Sequence, residues 1–238
     1  MRAQDEMDGE LRALIPTRVH AFSELEFPRL MQLIAWDFME KYIFSKWFPG
    51  LREYDCQGMA GIETRIRLGG RLLFPMGRTC INLTQPDKSN TGEKTEYWKA
   101  YTKSLLFQNP TIVEDIHDVK PLSDRLFERL YAMHDGQVFP VQDYRKRVQK
   151  SLVNARILAA QMGCQRNVYQ IDDDVCVGSA YDDSRMMDDK YTVEEDGEGT
   201  VVRCILSRGW VKRARVGDET AVPIYICKAR VLVGFPQD

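Results

Sequence analysis

The 238-residue sequence predicts an α+β fold, with a mainly helical body over 1–165 around one buried central helix and a small antiparallel β element over 166–238. Three observations predict it. Residues 27–48 form a helical run that is apolar around most of its circumference, and residues 143–162 repeat apolar side chains at spacings of three and four. After Gly163 the pattern changes to short β-branched runs around an acidic tract. One domain, 1–238, is expected at this length, and 44% hydrophobic residues suffice for a packed core.

Residues 5–15 place acids early and Leu11, Leu14 and Ile15 late, as in a short amphipathic helix ended by Pro16. Ser23 and Glu26 then stand at capping-box spacing just before the central run. In Phe27–Phe48, Pro28 suits a first helical position, where its missing N–H has no intrahelical acceptor, and Pro49-Gly50 stops the run. At about 100° per residue, Met31, Ile34, Ala35, Phe38 and Tyr42 share one side. Arg29, Gln32, Asp37 and Glu40 make a narrow polar stripe opposite, flanked by Leu33, Trp36, Ile43, Phe44 and Trp47. So apolar a helix belongs inside a domain or a bilayer. The charges of Arg29, Asp37, Glu40, Lys41 and Lys46 argue against the bilayer.

From Leu51 to Thr84, glycines at 58, 61, 69, 70 and 77 break the pattern, residues 63–68 alternate like a strand, and 71–75 form a short apolar run. A glycine-jointed loop or a small hairpin fits equally well. The polar stretch 85–94 is an expected exposed loop. Thr95–Phe107 is an expected helix with Trp98, Tyr101, Leu105 and Leu106 inward, ended by Asn109-Pro110. Pro121 and Ser123 open another, with Leu122, Leu126, Phe127, Leu130 and Met133 inward and Gly136 beyond its end. In Asp143–Met162, Tyr144, Val148, Leu152, Ala155 and Leu158 or Ala159 face in, and Arg145, Lys146, Arg147, Lys150 and Arg156 face out.

Residues 166–181 are β-leaning through Val168, Tyr169, Ile171, Val175 and Val177. Between 172 and 198, eleven acids stand against Arg185 and Lys190, the pattern of a solvated acidic loop. Thr200–Ser207 and Val222–Val233 are expected to pair as an antiparallel hairpin or small sheet.

A net charge of −2 exerts no global pull toward nucleic acid or anionic membrane. The six cysteines are far apart with no CxxC pair, as expected for reduced thiols. The acidic N-terminus has no apolar signal region, so Asn82-Leu83-Thr84 reads as a chance acceptor and the expected location is cytoplasmic or nuclear.

The runs Arg156–Tyr169, Val201–Lys212 and Cys227–Val233 together resemble the C-terminal regions of uncharacterised filamentous-fungal proteins, sometimes found downstream of coiled-coil or regulatory segments. The resemblance covers about the last third of the chain and brings no catalytic residues. It implies a regulatory or scaffold role.

Three patterns could carry chemistry. His117-Asp118 and His134-Asp135 are dipeptides of the kind that hold divalent metal, with His20 and Asp172 as further ligands, but their separations and the following context do not fit. Asp172-Asp173-Asp174, Asp182-Asp183 and Asp188-Asp189 could offer carboxylates to magnesium, though with no partner motif. Arg203, Arg208, Lys212, Arg213 and Arg215 surround Trp210 without an intervening acid, as in a surface that holds phosphates while a ring stacks on a base. The acidic tract before them favours neutralisation within the chain. No GxxxxGK[ST], GxGxxG, GxSxG or HExxH pattern occurs.

The expected function is therefore a non-catalytic intracellular protein-interaction or regulatory module with another protein as partner, without cofactor or membrane. Its expected binding residues are Trp210, Arg208, Lys212, Arg213 and Arg215, with the acids Asp182, Asp183, Asp188 and Asp189. A metal-dependent hydrolase or phosphotransfer enzyme using Asp or His-Asp groups, and a nucleic-acid-binding module, are the alternatives.

Overall fold

A computed structural model describes residues 27–67, 91–132, 141–165, 168–189, 200–213 and 223–234. The fold is α+β. Its helices are α1 (Phe27–Met39), α2 (Glu53–Arg67), α3 (Thr91–Gln108), α4 (Pro110–His117), α5 (Lys120–Ala132) and α6 (Val141–Gly163). Its strands are β1 (Val168–Ile171), β2 (Met186–Asp188), β3 (Val201–Ser207), β4 (Trp210–Arg213), β5 (Ile224–Cys227) and β6 (Ala229–Gly234). The expected helix at 5–15, the capping box at Ser23, the apolar run at 71–75, Met133 and Gly136 lie outside the described residues.

Helix α1 is buried on two sides, as its apolar circumference requires. Met31, Ile34 and Phe38 join Val119, Leu126, Leu130, Val148, Leu152 and Ala155 in a core shared with α5 and α6. Leu33 faces the other way, into a cluster with Cys204, Leu206 and Leu232 of β3 and β6. Full burial of each such side chain contributes about 1.5–3 kcal/mol. The polar stripe is used too: Arg29 Nε donates to Asp189 Oδ2 at 3.1 Å, and Glu40 Oε1 lies 3.6 Å from Arg208 Nη1.

The run does not continue to Phe48 as one α-helix. After α1 comes a π turn, Glu40–Phe44, closed by Ser45 N–H donating to the Glu40 carbonyl five residues back at 2.9 Å. A π turn inserts an extra residue and rotates the downstream chain relative to a regular helix. Ile43 stays in the helical core while the Phe44 ring meets the edge of Trp210 with centroids 4.9 Å apart. Gly50 ends the segment at φ +92°, and a Cβ there would stand 2.8 Å from Ile116 Cγ1, so both conformation and close approach to α4 select glycine.

The segment expected to be a loop or hairpin is helix α2 from 53 to 67. Gly58 and Gly61 stand on open surface within it, where they lower helix propensity but obstruct nothing. Cys56 and Ile66 are buried. Helix α3 also starts earlier than expected, taking in 91–94 from the anticipated loop. Its inward face differs from the expected one: Thr95, Ala100 and Lys103 are buried, while Tyr101 and Leu105 are half exposed. Tyr97 and Tyr101 stack on each other on the outer side instead, with centroids 6.4 Å apart. Asn109 ends α3 and its side chain accepts from Thr111 N–H at 3.0 Å, capping the short helix α4. Of the two candidates at the end of α6, Ala159 packs against the core and Leu158 is exposed.

Among the described residues the C-terminal part forms two three-stranded sheets, where a single antiparallel hairpin or small sheet was expected. One has the order β2-β6-β3, with β2 parallel and β3 antiparallel to β6, and the other is antiparallel in the order β1-β4-β5. The chain passes between the sheets twice: after β3, the strand expected at 200–207, it enters β4 through Arg208-Gly209, and the strand expected over 222–233 divides at Lys228 into β5 and β6. The two corners touch. A Cβ on Gly209 would lie 2.8 Å from the Cys227 carbonyl oxygen and 2.9 Å from Ala229 N, so the crossing needs glycine.

Nor is the first half of the acidic tract a solvated loop. Val175, Met186, Val202, Ile205, Ala229 and Val231 form a buried cluster, so residues 175–186 cover the face of the β2-β6-β3 sheet turned away from α1. Asp172 and Asp188 are buried too. Among the described residues no helix is long and apolar enough to cross a membrane.

Because Phe38 is fully buried in the helical core, Phe38→Ala should lower the free energy of urea unfolding by about 3–5 kcal/mol. Tyr54→Ala, at an exposed side chain, should change it by no more than about 0.5 kcal/mol.

Candidate binding cleft

The acids and bases singled out in the C-terminal third are largely joined to each other or to α1. Arg208 pairs with Asp173 and with Glu40, and Arg185 Nη2 donates to Asp172 Oδ1 at 2.7 Å and lies 3.3 Å from Asp174 Oδ2. Asp189 takes both Arg29 and Arg230. Burial alone would raise its carboxyl, but the hydrogen bonds from these two arginines outweigh burial and hold it below its usual value. Asp182 closes a turn by accepting from Ser184 N–H at 2.9 Å and from its hydroxyl at 2.6 Å, and the hydroxyl contact above all lowers its pKa. Asp183 is exposed and its backbone carbonyl accepts from Lys228. Asp188 is buried on β2.

Lys212 is half buried in the middle of the β1-β4 ladder opposite Tyr169. Arg213, exposed at the ladder's end, reaches the Gln170 side-chain oxygen at 2.6 and 3.0 Å when that amide is oriented to accept. Arg215, His134 and Asp135 lie outside the described residues. His117 is exposed at the end of α4, and the Asp118 carbonyl accepts from Arg156 Nη1 at 2.9 Å. Among the described residues no group of three or more His, Cys, Asp or Glu side chains is arranged to hold a metal ion.

Trp210 is different, because it forms one wall of a half-open cleft of about 120 Å³. A bulge in the β4-β5 ladder falls between Trp210 and Val211, a device that re-aims a side chain at a sheet edge. The opposite wall is α3, which contributes Glu96, Lys99 and Lys103. Phe44, Lys46 and Trp47 enter from the π turn and its continuation, the end of α6 supplies Met162 and Gly163, and β1 supplies Tyr169. Three lysines therefore line the cleft against one glutamate.

Glu63 of α2 organises one side of it. Its Oε2 accepts from Trp47 Nε1 at 2.9 Å and its Oε1 from Lys99 Nζ at 3.1 Å, so a single carboxylate sets both an indole and an ammonium. Lys99 also lies 3.9 Å from Glu96. Trp98 packs on Trp47 with centroids 6.1 Å apart, stiffening the aromatic wall.

Lys103 is the unusual group. Only 8% of the residue is exposed, yet it lines the cleft. Its stem lies against Gly163, where a Cβ would come within 3.0 Å of Cδ, and its Nζ stands 4.8 Å from the Trp47 ring centroid. The ring face attracts a cation but accepts no proton. Burial, reinforced by the charge of Lys99, lowers the Lys103 pKa to about 8, while Glu63, Glu96 and Cys164 pull the other way. Burial also pushes the Cys164 thiol up, against the effect of Lys103. The cleft thus offers cationic donors, aromatic faces and an amine that is partly neutral near pH 8.

Of these lining residues the sequence pattern identified only Trp210. The signal for the others was weak: Lys103 lies on the side of α3 opposite Trp98, Tyr101 and Leu105, the face that hydropathy ranks as inward. Glu63 fell in a stretch that alternated like a strand. A lysine buried along its stem is invisible to a hydropathy scale, which scores the ammonium and ignores the methylenes.

Asp189→Asn should weaken the fold by about 2 kcal/mol at pH 7 through loss of charge-assisted hydrogen bonds. The carboxylate's contribution is present above its unfolded pKa, near 3.9, and is lost as pH falls through the lower folded value. Urea unfolding at pH 7 and at about pH 3 should therefore show the gap between variant and parent closing on the acid side.

For Lys103 the sign is reversed. The folded state holds its proton less tightly than the unfolded chain, so a penalty is full below about pH 8 and fades as pH rises toward the ordinary lysine value of about 10.4. Lys103→Met should stabilise the protein by about 1 kcal/mol at pH 7, and by less at about pH 10, in the same unfolding assay. Comparison of the chain with protein-family models, with curated proteins and with solved structures finds no match.

Proposed function

We propose that the protein is a non-catalytic interaction module that recognises an acidic segment of a partner protein in the cleft between α3, the end of α6 and β4. The observation that carries the reading is the convergence of Lys46, Lys99 and Lys103 with Trp47 and Trp210 around one opening. Carboxylates of a bound peptide would meet the ammonium groups while its apolar or aromatic side chains pack on the indoles. Lys46 pairs with Glu53, which is well exposed, and such surface pairs are weak enough to exchange for a ligand carboxylate. The acidic tract, by contrast, spends Asp172, Asp173, Asp174 and Asp189 on arginines of its own chain. Trp210 thus keeps its binding role in this reading, with the lysines of α3 and the π-turn segment replacing Arg208 and the acids as its partners.

A cytoplasmic or nuclear location goes with this proposal, supported by Cys56, Cys164, Cys176, Cys204 and Cys227 as free thiols. So does the regulatory or scaffold role suggested by the fungal resemblance.

The test is fluorescence anisotropy with a labelled octaglutamate peptide, an octaglutamine control and an oligothymidine competitor. The glutamate peptide should bind saturably and more weakly as salt rises. Lys99→Gln and Trp210→Ala, each verified as folded by circular dichroism, should weaken it about tenfold, roughly 1.4 kcal/mol. Equal binding of octaglutamine, or unchanged affinity in both variants, would overturn the proposal. Tighter binding of oligothymidine, lost in the same variants, would replace it with the nucleic-acid reading.

A further inference from the structure

We propose that the Lys103 amine is a nucleophile that forms an imine with small carbonyl compounds bearing a carboxylate. This goes beyond the recognition role and does not depend on it. Three features on α3 and its neighbours point to it. The Lys103 side chain lines an opening to solvent although its residue is almost wholly buried. The two nearby carboxylates of Glu63 and Glu96 are engaged by Lys99, so Lys103 is held by the Trp47 ring, which leaves its nitrogen lone pair available once the proton is gone. The neighbouring cations Lys99 and Lys46 line the same cleft and suit a ligand carboxylate.

The lowered pKa supports the geometric argument. At pH 8 about half of Lys103 is neutral, whereas an ordinary lysine with a pKa of about 10.4 is neutral to roughly 0.4%, so the nucleophilic fraction is on the order of a hundredfold larger. The charged or titratable groups around it are Lys99 and Glu96 on α3, Glu63 on α2, Lys46 beside Trp47, Cys164 after α6 and Tyr169 on β1.

The step balances without oxidant or reductant. The nitrogen lone pair adds to the carbonyl carbon, forming the C–N bond, and the C=O π pair moves to oxygen. Oxygen takes a proton and nitrogen loses one, giving a carbinolamine. After a second protonation the C–O bond breaks, water leaves, and the remaining nitrogen pair closes C=N. Loss of the last N–H proton gives the neutral imine. Protons exchange with solvent across the open mouth of the cleft. A space of about 120 Å³ suits a ligand of a few heavy atoms, and glyoxylate meets the requirement.

The experiment treats the protein with glyoxylate and cyanoborohydride between pH 6 and pH 9 and maps carboxymethylated lysines by peptide mass spectrometry. Lys103 should be modified at least tenfold faster than exposed Lys120 and Lys150, with a rate that climbs with pH through a midpoint near 8. The preference should vanish when the same reaction is run in denaturing urea, a control that holds even if Lys103→Arg fails to fold. Lys103→Arg, where folded, should show no modification at 103 while Lys120 and Lys150 react as they do in the parent protein. Modification of Lys103 at or below the rate of surface lysines, or a preference that survives in urea, would overturn the proposal. Octaglutamate binding that persists in protein showing no Lys103 preference would sink the imine and leave the recognition reading standing.

Discussion

The structure depends on one helix that buries two opposite faces at once. Helix α1 presents Met31, Ile34 and Phe38 to α5 and α6, and Leu33 to the β2-β6-β3 sheet, so removing it would strip both layers of their common partner. A helix in that position has little room for charge. What charge it carries is used as a tie: Arg29 reaches Asp189 and Glu40 reaches Arg208, fixing the C-terminal sheets against the helical body. The acids and bases of the last third therefore serve the architecture first, and electrostatics within the chain consumes much of what looked like recognition surface.

The cleft arises from how the central run ends. A regular α-helix through Phe48 would have carried its aromatic residues round at a constant 100° per residue. The π turn at 40–44 changes that phase, leaving Ile43 in the core while Phe44 meets Trp210 and Trp47 meets Trp98 at the side of α3. Glu63 then locks Trp47 and Lys99 from α2. Every wall of the opening comes from a different element, so its composition could not be collected from any single stretch of sequence.

The placement of Lys103 shows the energetic compromise at this site. Its methylene stem fills space beside Gly163 that an aliphatic residue could fill, and its ammonium is placed over an indole rather than in water. The result is a cation whose charge is easily lost. Such a group is poor at stabilising a fold and well suited to meeting a ligand, which is why it anchors both readings of the cleft.

Much of the scaffold was legible in the residues. The 3.6-residue period and near-continuous apolar content of 27–48 called for a buried helix, the threes and fours of 143–162 called for an amphipathic one, and the β-branched runs after 166 called for strands. These signals are local, since periodicity reports which face of an element avoids water. Glycine misled the same reasoning in α2, where Gly58 and Gly61 cost propensity but tertiary contacts through Cys56 and Ile66 hold the helix. What only the tertiary structure decided was the partner of each charge, the rotation of α3 that buries Lys103, and the exchange of strands between two sheets at Gly209 and Lys228. All three rest on contacts between residues far apart in the chain, and such contacts leave no period in the sequence.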